Sequence, residues 1–180
     1  QPCAFIKPDL DGHESNYYEW FSAGVYDPSH GGDSMHQTDH LIKAVYFGFD
    51  PNRFYLRADV EGLSSGRHSQ GRMACVVYLF SRKNYKIVIP FSGHTREAHV
   101  YEEIPNEQGW GDPQPFEQAA IDNVLEMAFD FDQFAIHPDE MLRFQLALEV
   151  ADQEIERCPG RTPLSTRIPN EDFEEEMWIV

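Results

Sequence analysis

Apolar and polar residues alternate along much of the chain, and this pattern predicts β-strands. Between residues 53 and 60 the even positions are apolar and the odd positions are charged residues or tyrosine. Side chains of a strand point alternately to the two faces of a sheet, so we expect the even face to be buried and the odd face to be wet. With the apolar run before it and the turn residues Asp50-Pro51-Asn52, residues 41–60 predict a β-hairpin.

A second hairpin is predicted directly afterwards. Residues 73–80 are continuously apolar, which is typical of a strand buried on both faces. Residues 85–91 alternate again, and Pro90 lies within them. Because proline has no N–H to donate to a β-ladder, this strand should end at Pro90 or lie at an edge of its sheet.

The second half of the chain repeats the pattern. Residues 121–131 alternate, with Asn123 as a polar exception on the apolar side, and in residues 141–150 the even positions are all apolar. Shorter strands are expected near residues 164–168 and 177–180. Each of these segments therefore indicates a strand that buries one face.

Helical signals are scarce, and only a short helix ending at His40, capped by Asp33 or Ser34, is expected. About nine strands with turn residues between them predict an all-β fold, an antiparallel β-sandwich with at most short helices. The chain, residues 1–180, is expected to form this sandwich as a single domain. Long loops are expected at residues 63–72 and 106–115.

Composition and charge narrow the classes of partner. The 180 residues include 14 Lys and Arg against 31 Asp and Glu, a formal charge of −17, which would repel a nucleic-acid backbone and disfavours an anionic membrane. The hydrophobic fraction of 41% is too high for a disordered chain. No apolar run approaches the roughly 20 residues that span a bilayer. We therefore expect neither a nucleic acid nor a membrane as partner.

The three cysteines, Cys3, Cys75 and Cys158, do not form a disulfide framework, because their number is odd and their spacing is wide. Cys75 lies in an apolar run and is interpreted as a small buried hydrophobic residue. This usage of cysteine favours a reducing compartment, so the cytoplasm is the expected location.

Two groups of residues are candidates for metal binding. His36 and His40 would share one face of a helix and could hold a transition metal, although a surface role is the simpler interpretation. Asp9 and Asp11 could begin a calcium loop, since carboxylate oxygens suit calcium, but the rest of the EF-hand pattern is absent. No other cofactor is expected.

Aromatic residues are the candidates for carbohydrate binding. Tyr18, Trp20 and Tyr26 lie close together in the sequence, and Trp110 stands in a polar loop between Gly109 and Gly111. An exposed aromatic ring can stack on the apolar C–H face of a sugar while neighbouring acids and amides bind its hydroxyl groups. The alternative for each ring is an ordinary place in the core or as a loop anchor.

Several stretches of the sequence resemble one known family. Residues 6–12, 17–24, 35–36, 41–43, 142–146 and 168–178, which include the block Glu19-Trp20-Phe21-Ser22-Ala23-Gly24, are similar to the C-terminal β-sandwich region of glycoside hydrolase family 57 enzymes, the α-amylase and amylopullulanase-like proteins. The hairpin formed by residues 46–57 is similar to the wider group of glucodextranase C-terminal and carbohydrate-binding module family 9 sandwiches.

This resemblance implies a non-catalytic accessory domain, because the catalytic carboxylates of that family lie on an upstream barrel that this chain does not contain. The chain would be excised from a larger α-glucan-active enzyme, and would bind an α-glucan or oligosaccharide weakly or brace the upstream catalytic domain. Related modules hold sugar between two tryptophan rings and can hold calcium.

Two alternatives stay open. A haem or electron-transfer sandwich could use Met35, His36, His40 or Met73 as axial ligands, although no C-x-x-C-H attachment motif is present. A free-standing glycoside hydrolase would need a pair of carboxylates about 5–10 Å apart, and 31 acids make any particular pair uninformative.

Overall fold

A computed structural model of the chain describes residues 1–14, 18–30, 40–63, 73–91, 97–170 and 172–173. Within these ranges lie twelve β-strands and one turn of 3-10 helix at Pro28–His30. No helix in the described ranges is long and apolar enough to cross a membrane. The strands are β1 Gly24–Tyr26, β2 Ile42–Phe49, β3 Arg53–Val60, β4 Met73–Phe80, β5 Asn84–Pro90, β6 His99–Glu102, β7 Gln114–Pro115, β8 Ala119–Ile121, β9 Leu125–Asp130, β10 Met141–Val150, β11 Gln153–Cys158 and β12 Leu164–Arg167.

The strands form two antiparallel sheets that pack as a sandwich. The smaller sheet has the order β1-β2-β3-β9-β8, and the larger has the order β11-β10-β4-β5-β6-β7, with β12 also paired to β10. The predicted all-β antiparallel sandwich is confirmed. The described residues hold twelve strands and not about nine. β1, β7 and β8 have only two or three residues each, too few for alternation to be visible, and β6 and β11 were also not predicted.

The two predicted hairpins are present. β2 and β3 pair from Phe49 and Phe54 outwards, and the amide N–H of Asn52 donates to Asp50 Oδ1 at 2.7 Å in the turn. β4 pairs with β5, and β5 ends at Pro90 as expected. The turn residues and the spacing of apolar residues were therefore sufficient to predict both hairpins from local sequence.

The prediction of one strand over residues 121–131 is wrong, because the chain reverses direction within this range. β8 ends at Ile121 and β9 begins at Leu125, and these two residues pair with each other. Asn123, the polar exception on the apolar side, lies in the turn, where its amide N–H donates to the carbonyl oxygen of Gly12 at 2.9 Å. The two strands happen to keep the same parity across the turn, so the pattern resembled one long strand.

Phenylalanine rings join the two sheets in the core. Phe144 of the larger sheet lies 5.2 Å, between ring centroids, from both Phe47 and Phe54 of the smaller sheet. Next to Phe54, Phe129 of β9 lies 5.2 Å from Phe134 in an edge-to-face contact. Aromatic rings bury large areas and favour such tilted arrangements, so these contacts set the distance between the sheets.

The outer face of the smaller sheet differs from the prediction. The odd positions of β3 were expected to be wet, yet Tyr55 is buried and packs with Ile6, Trp20 and Ala128 in a second, smaller core. The N-terminal segment, residues 1–14 and 18–23, lies across this face and covers it. The alternation was interpreted correctly as two faces, but a third layer of chain excludes water from the outer one.

Arg57 occupies the same covered face and is also buried, contrary to expectation. Its Nε donates to Asp59 Oδ1 at 2.7 Å, and its Nη2 donates to Glu14 Oε2 at 3.1 Å. Its guanidinium carbon lies 4.7 Å from the centre of the Tyr46 ring. A charge this buried is tolerated because carboxylates and an aromatic face surround it.

Several predictions concern residues outside the described ranges. They are the short helix before His40, the strand at 177–180 and nearly all of the loop at 63–72. The other expected loop, residues 106–115, contains β7 and an isolated bridge between Glu103 and Trp110.

The thiols offer a test of this packing. Burial raises the pKa of Cys75 and of Cys158 to about 12, whereas Cys3 is exposed. Because the thiolate is the reactive form, a chromogenic disulfide reagent at mildly alkaline pH should titrate one thiol rapidly in the native protein and three in denaturant. Cys3→Ser should remove the rapid phase. Two or three rapidly reacting thiols in the native state would contradict the burial of the other two.

Candidate functional site

The aromatic residues singled out in the sequence lie on opposite sides of the sandwich. Trp110 rests over the outer face of the larger sheet, where it meets Tyr78 of β4. Trp20 lies on the outer face of the smaller sheet, among the residues of the second core. A single ligand therefore does not contact both tryptophans.

Trp110 is held by an irregular hairpin that continues β6 and β7. Trp110 bridges to Glu103, and the amide N–H of Gly111 donates to the carbonyl oxygen of Glu102 at 2.8 Å. A Cβ at Gly111 would lie 3.3 Å from that oxygen, so a residue without a side chain fits best there. Asn106 reverses the chain with a φ of 65°. Local backbone contacts thus place the Trp110 ring at the sheet surface.

Trp110 and Tyr78 together form a surface that we call the aromatic platform. Their ring centroids are 6.3 Å apart with a 44° tilt, and 36% of Trp110 is exposed. The platform is flanked by Arg157, whose guanidinium carbon lies 5.0 Å from the centre of the Tyr78 ring. Burial raises the pKa of Tyr78, so its hydroxyl stays protonated and can donate a hydrogen bond.

Polar groups beside the platform are fixed by their neighbours. Arg157 Nη1 donates to Gln145 Oε1 at 3.1 Å, and Gln145 Nε2 donates to the carbonyl oxygen of Pro159 at 2.5 Å. Arg157 also forms an ion pair with Glu154. The surface thus combines partly exposed rings with a guanidinium group whose position is set, an arrangement suited to a ligand with an apolar face and a hydroxyl rim.

The burial pattern of β4 shows why Tyr78 was not a candidate site residue in the sequence. The continuous apolar run predicted burial on both faces, but only the core-facing positions and Val76 are buried, whereas Ala74, Tyr78 and Phe80 on the outer face are half-buried. The expectation of full burial on both faces is therefore wrong, because no further layer of described chain covers the whole outer face. Tyr78 lies within the run, and the sequence carries no signal that Trp110 would approach it.

A cleft of about 310 Å³ opens on the other side of the same hairpin. Tyr85, Val100 and Phe134 are buried and form its apolar wall. Its rim is polar and exposed, with two carboxylates and two amides among the lining residues Glu102, Gly111, Asp112, Gln114 and Gln133. The lining comes from four separate segments of chain, so no local sequence pattern indicates this cleft.

The cleft has a defined electrostatic arrangement. Lys83 Nζ lies 2.7 Å from Glu102 Oε1, and the Tyr85 hydroxyl donates to the carbonyl oxygen of Gln133 at 3.4 Å. Burial, and to a lesser extent the charge of Glu102, raises the pKa of Tyr85. The cleft therefore presents hydrogen-bond donors and acceptors above an apolar wall.

Trp20 is only 5% exposed and lies in the second core. Its Nε1 donates to Glu126 Oε1 at 3.1 Å, and its ring centroid is 6.4 Å from that of Tyr46. Neither ring face is open enough to receive a sugar in this structure. Trp20 instead fastens the N-terminal segment to the smaller sheet, which is the core role that the sequence left as its alternative.

Glu126 is the centre of this attachment and is 0% exposed. Besides Trp20, the amide N–H groups of Asp11 and Gly12 donate to its Oε2 at 3.2 and 3.0 Å. Gly12 has a φ of 78°, and a Cβ there would lie 2.6 Å from the backbone nitrogen of Asp122. Only glycine therefore allows the N-terminal segment to approach the β8–β9 turn so closely.

Tyr18 and Tyr26, the other predicted sugar-binding residues, have different surroundings. Tyr18 is 75% exposed and lies 6.4 Å from the ring of Phe21, which is 67% exposed. Tyr26 of β1 is half-buried and packs against the main core. Neither residue lies on the larger sheet, so the structure does not bring either of them to Trp110.

The candidate metal ligands also have different surroundings. Asp9 is exposed, and Asp11 Oδ1 accepts the amide N–H of His13 at 2.8 Å. His40 Nδ1 lies 3.7 Å from Glu156 Oε1, while His36 is outside the described ranges. In the part of the chain that the structure describes, no three His, Cys, Asp or Glu side chains are grouped as metal ligands would be. Calcium binding stays a prediction.

Comparison of the chain with protein-family models, with curated proteins and with solved structures gives no match. The geometry alone therefore defines the class, an antiparallel β-sandwich with an aromatic platform on one sheet and a polar-rimmed cleft beside it.

Replacing Glu126 tests the attachment of the N-terminal segment. Glu126→Gln puts an NH₂ group against N–H donors, so we expect the free energy of unfolding to fall by about 1–3 kcal/mol. Amide hydrogen exchange at Asp11 and Gly12 should accelerate more than exchange in the main core. Glu117→Gln, at an exposed carboxylate, is the control and should change neither quantity. Unchanged exchange at both amides in Glu126→Gln would refute the attachment.

The same carboxyl predicts a pH dependence. Burial raises the pKa of Glu126 above its ordinary value of 4.5, against the opposing effect of its N–H donors. A raised pKa in the folded state favours the protonated form, so the part of the stability that comes from titration of Glu126 is largest below 4.5 and is lost as the pH rises through the folded-state value. The unfolding free energy of the natural protein minus that of Glu126→Gln, measured by denaturant titration, should therefore decrease from acidic to neutral pH. A difference that increases with pH would contradict this.

Proposed function

We propose that this chain is a non-catalytic carbohydrate-binding β-sandwich that serves an α-glucan-active glycoside hydrolase. The observation that supports it is the aromatic platform: Trp110 is partly exposed and lies 6.3 Å from Tyr78 beside a fixed guanidinium group. A pyranose ring has an apolar C–H face and a rim of hydroxyl groups, and this surface complements both. The resemblance of the sequence to the family 57 accessory region supports the choice of α-glucans.

Charge supports a neutral ligand. With a net charge of −17, the protein repels anionic polymers at a distance, whereas a neutral glucan meets no such barrier. The platform is also small, with two rings and one flanking cation. Binding is therefore expected to be weak for a single short chain and to strengthen on a polymer that offers many equivalent binding positions.

A second candidate role, bracing a catalytic domain, is favoured by a different surface. Tyr18, Phe21 and Val25 are exposed apolar side chains on the N-terminal segment and the edge strand β1. Exposed apolar groups that lie close together are typical of protein–protein contacts. This surface is on the smaller sheet, so bracing and sugar binding would use different sides of the molecule.

The platform predicts a specific loss of binding. Trp110→Ala should weaken binding of maltooligosaccharides at least about tenfold, since losing a stacked ring costs on the order of 1.4 kcal/mol. Trp110→Phe, which keeps an aromatic ring, should retain part of the affinity. Calorimetry with maltooligosaccharides and affinity electrophoresis in gels containing glycogen or starch provide the measurements.

Phe21→Ala is the matched control, because it removes an exposed ring on the opposite sheet and should leave sugar binding unchanged. If the natural protein binds none of these glucans at millimolar concentration, the binding proposal fails and bracing becomes the better account. Equal binding by Trp110→Ala and the natural protein would exclude the platform as the site.

A further inference from the structure

The geometry points to the cleft beside the β6–β7 hairpin as a second carbohydrate site, which binds one or two neutral pyranose residues independently of the aromatic platform. This inference rests on the proposed function for its ligand class and adds a site that the platform does not include. The volume of about 310 Å³ is at the lower end of small-molecule sites, which run from about 300 to 1,000 Å³.

The lining of the cleft matches an amphipathic ring. Val100, Phe134 and Tyr85 are almost wholly buried, so only their exposed edges form the apolar wall of the cleft, against which C–H groups of a sugar can lie. The rim of the cleft carries the amides of Gln114 and Gln133, which both donate and accept hydrogen bonds. A purely apolar ligand would displace water from these amides without replacing its hydrogen bonds, and a purely polar ligand would not use the wall.

The carboxylates narrow the ligand to sugars without acidic groups. Glu102 and Asp112 both line the cleft, and Lys83 balances only Glu102 directly, at 2.7 Å. Carboxylates accept hydrogen bonds from sugar hydroxyl groups, but they repel the negative charge of a phosphate, a sulfate or a uronic acid that is bound in the same cleft. We therefore expect unmodified glucose units to bind and their phosphorylated forms to be rejected.

The cleft and the platform lie on opposite sides of one hairpin. Trp110 contacts Tyr78 on the outer face of the larger sheet, while Gly111 and Asp112, the next two residues, line the cleft. No residue that lines the cleft belongs to the platform. Substitutions can therefore separate the two sites, and Gln114 and Gln133 are exposed at the surface, so replacing them leaves the core intact.

The test is a titration of the natural protein and two variants with maltotriose, followed through backbone amide and indole NMR signals. In Trp110→Ala, the amides of Gly111, Asp112 and Gln133 should still shift on titration. In Gln114→Ala/Gln133→Ala, those shifts should need at least about tenfold more maltotriose, since two hydrogen-bonding amides are lost. The Trp110 indole signal should respond in that double variant as it does in the natural protein.

The outcomes separate the two proposals. Cleft signals that respond while the Trp110 indole does not would support the cleft and overturn the platform. Indole signals that respond while the cleft amides do not would overturn the cleft and keep the proposed function. Loss of all shifts in Trp110→Ala would show a single site and overturn this inference.

Two further ligands test the chemistry of the cleft. Glucose 6-phosphate should produce no shift at the cleft amides, and saturation by it at concentrations similar to maltotriose would overturn the assignment to neutral sugars. Putrescine, a small diamine, tests whether the carboxylates instead select a cation. Cleft shifts with putrescine and none with maltotriose would overturn the assignment to carbohydrate. Thermal unfolding of each variant confirms that the comparison is made on folded protein.

Discussion

Close packing of phenylalanine rings between the two sheets is the constraint on which the rest of this molecule depends. Phe144 contacts Phe47 and Phe54 at equal centroid distances of 5.2 Å, so one residue of the larger sheet is wedged against two strands of the smaller. Such rings bury large apolar areas, and their close contacts, one edge-to-face and one tilted, set the separation of the sheets.

The two outer faces then take different roles. On the smaller sheet, the N-terminal segment adds a third layer, and the buried carboxylate of Glu126 holds that layer by accepting N–H groups from Asp11, Gly12 and Trp20. A buried carboxylate is costly unless several donors surround it, so its position and that of the segment determine each other. On the larger sheet, Tyr78 and Trp110 leave an aromatic surface that is partly open to ligand.

One hairpin positions both candidate binding surfaces. The bridge between Glu103 and Trp110 and the hydrogen bond from Gly111 to Glu102 set the path of the chain, so that Trp110 turns to the outer face while Asp112 turns to the cleft. The setting of Trp110 between two glycines made it a candidate from sequence. Tyr78, Gln114 and Gln133 carry no such local signal, because they join a candidate surface only when distant segments meet. Tyr18 and Trp20 were grouped because they are close in the sequence. The fold separates them, since Trp20 lies in the second core and Tyr18 is exposed.

What the sequence by itself determined was the class of fold, the hairpin of β2 and β3, the end of β5 at Pro90 and the inward faces of the long strands, because alternation and turn chemistry act over a few residues. Tertiary structure alone decided that Tyr55, Arg57 and Glu126 are buried, since a segment more than 30 residues away in the chain covers them. It also decided the reversal at Asn123, where two strands of matching parity concealed a turn. The physical reason is the same in each case. The local pattern of apolar and polar residues predicts which way a side chain points, but only contacts with distant segments decide whether that side chain is exposed to water.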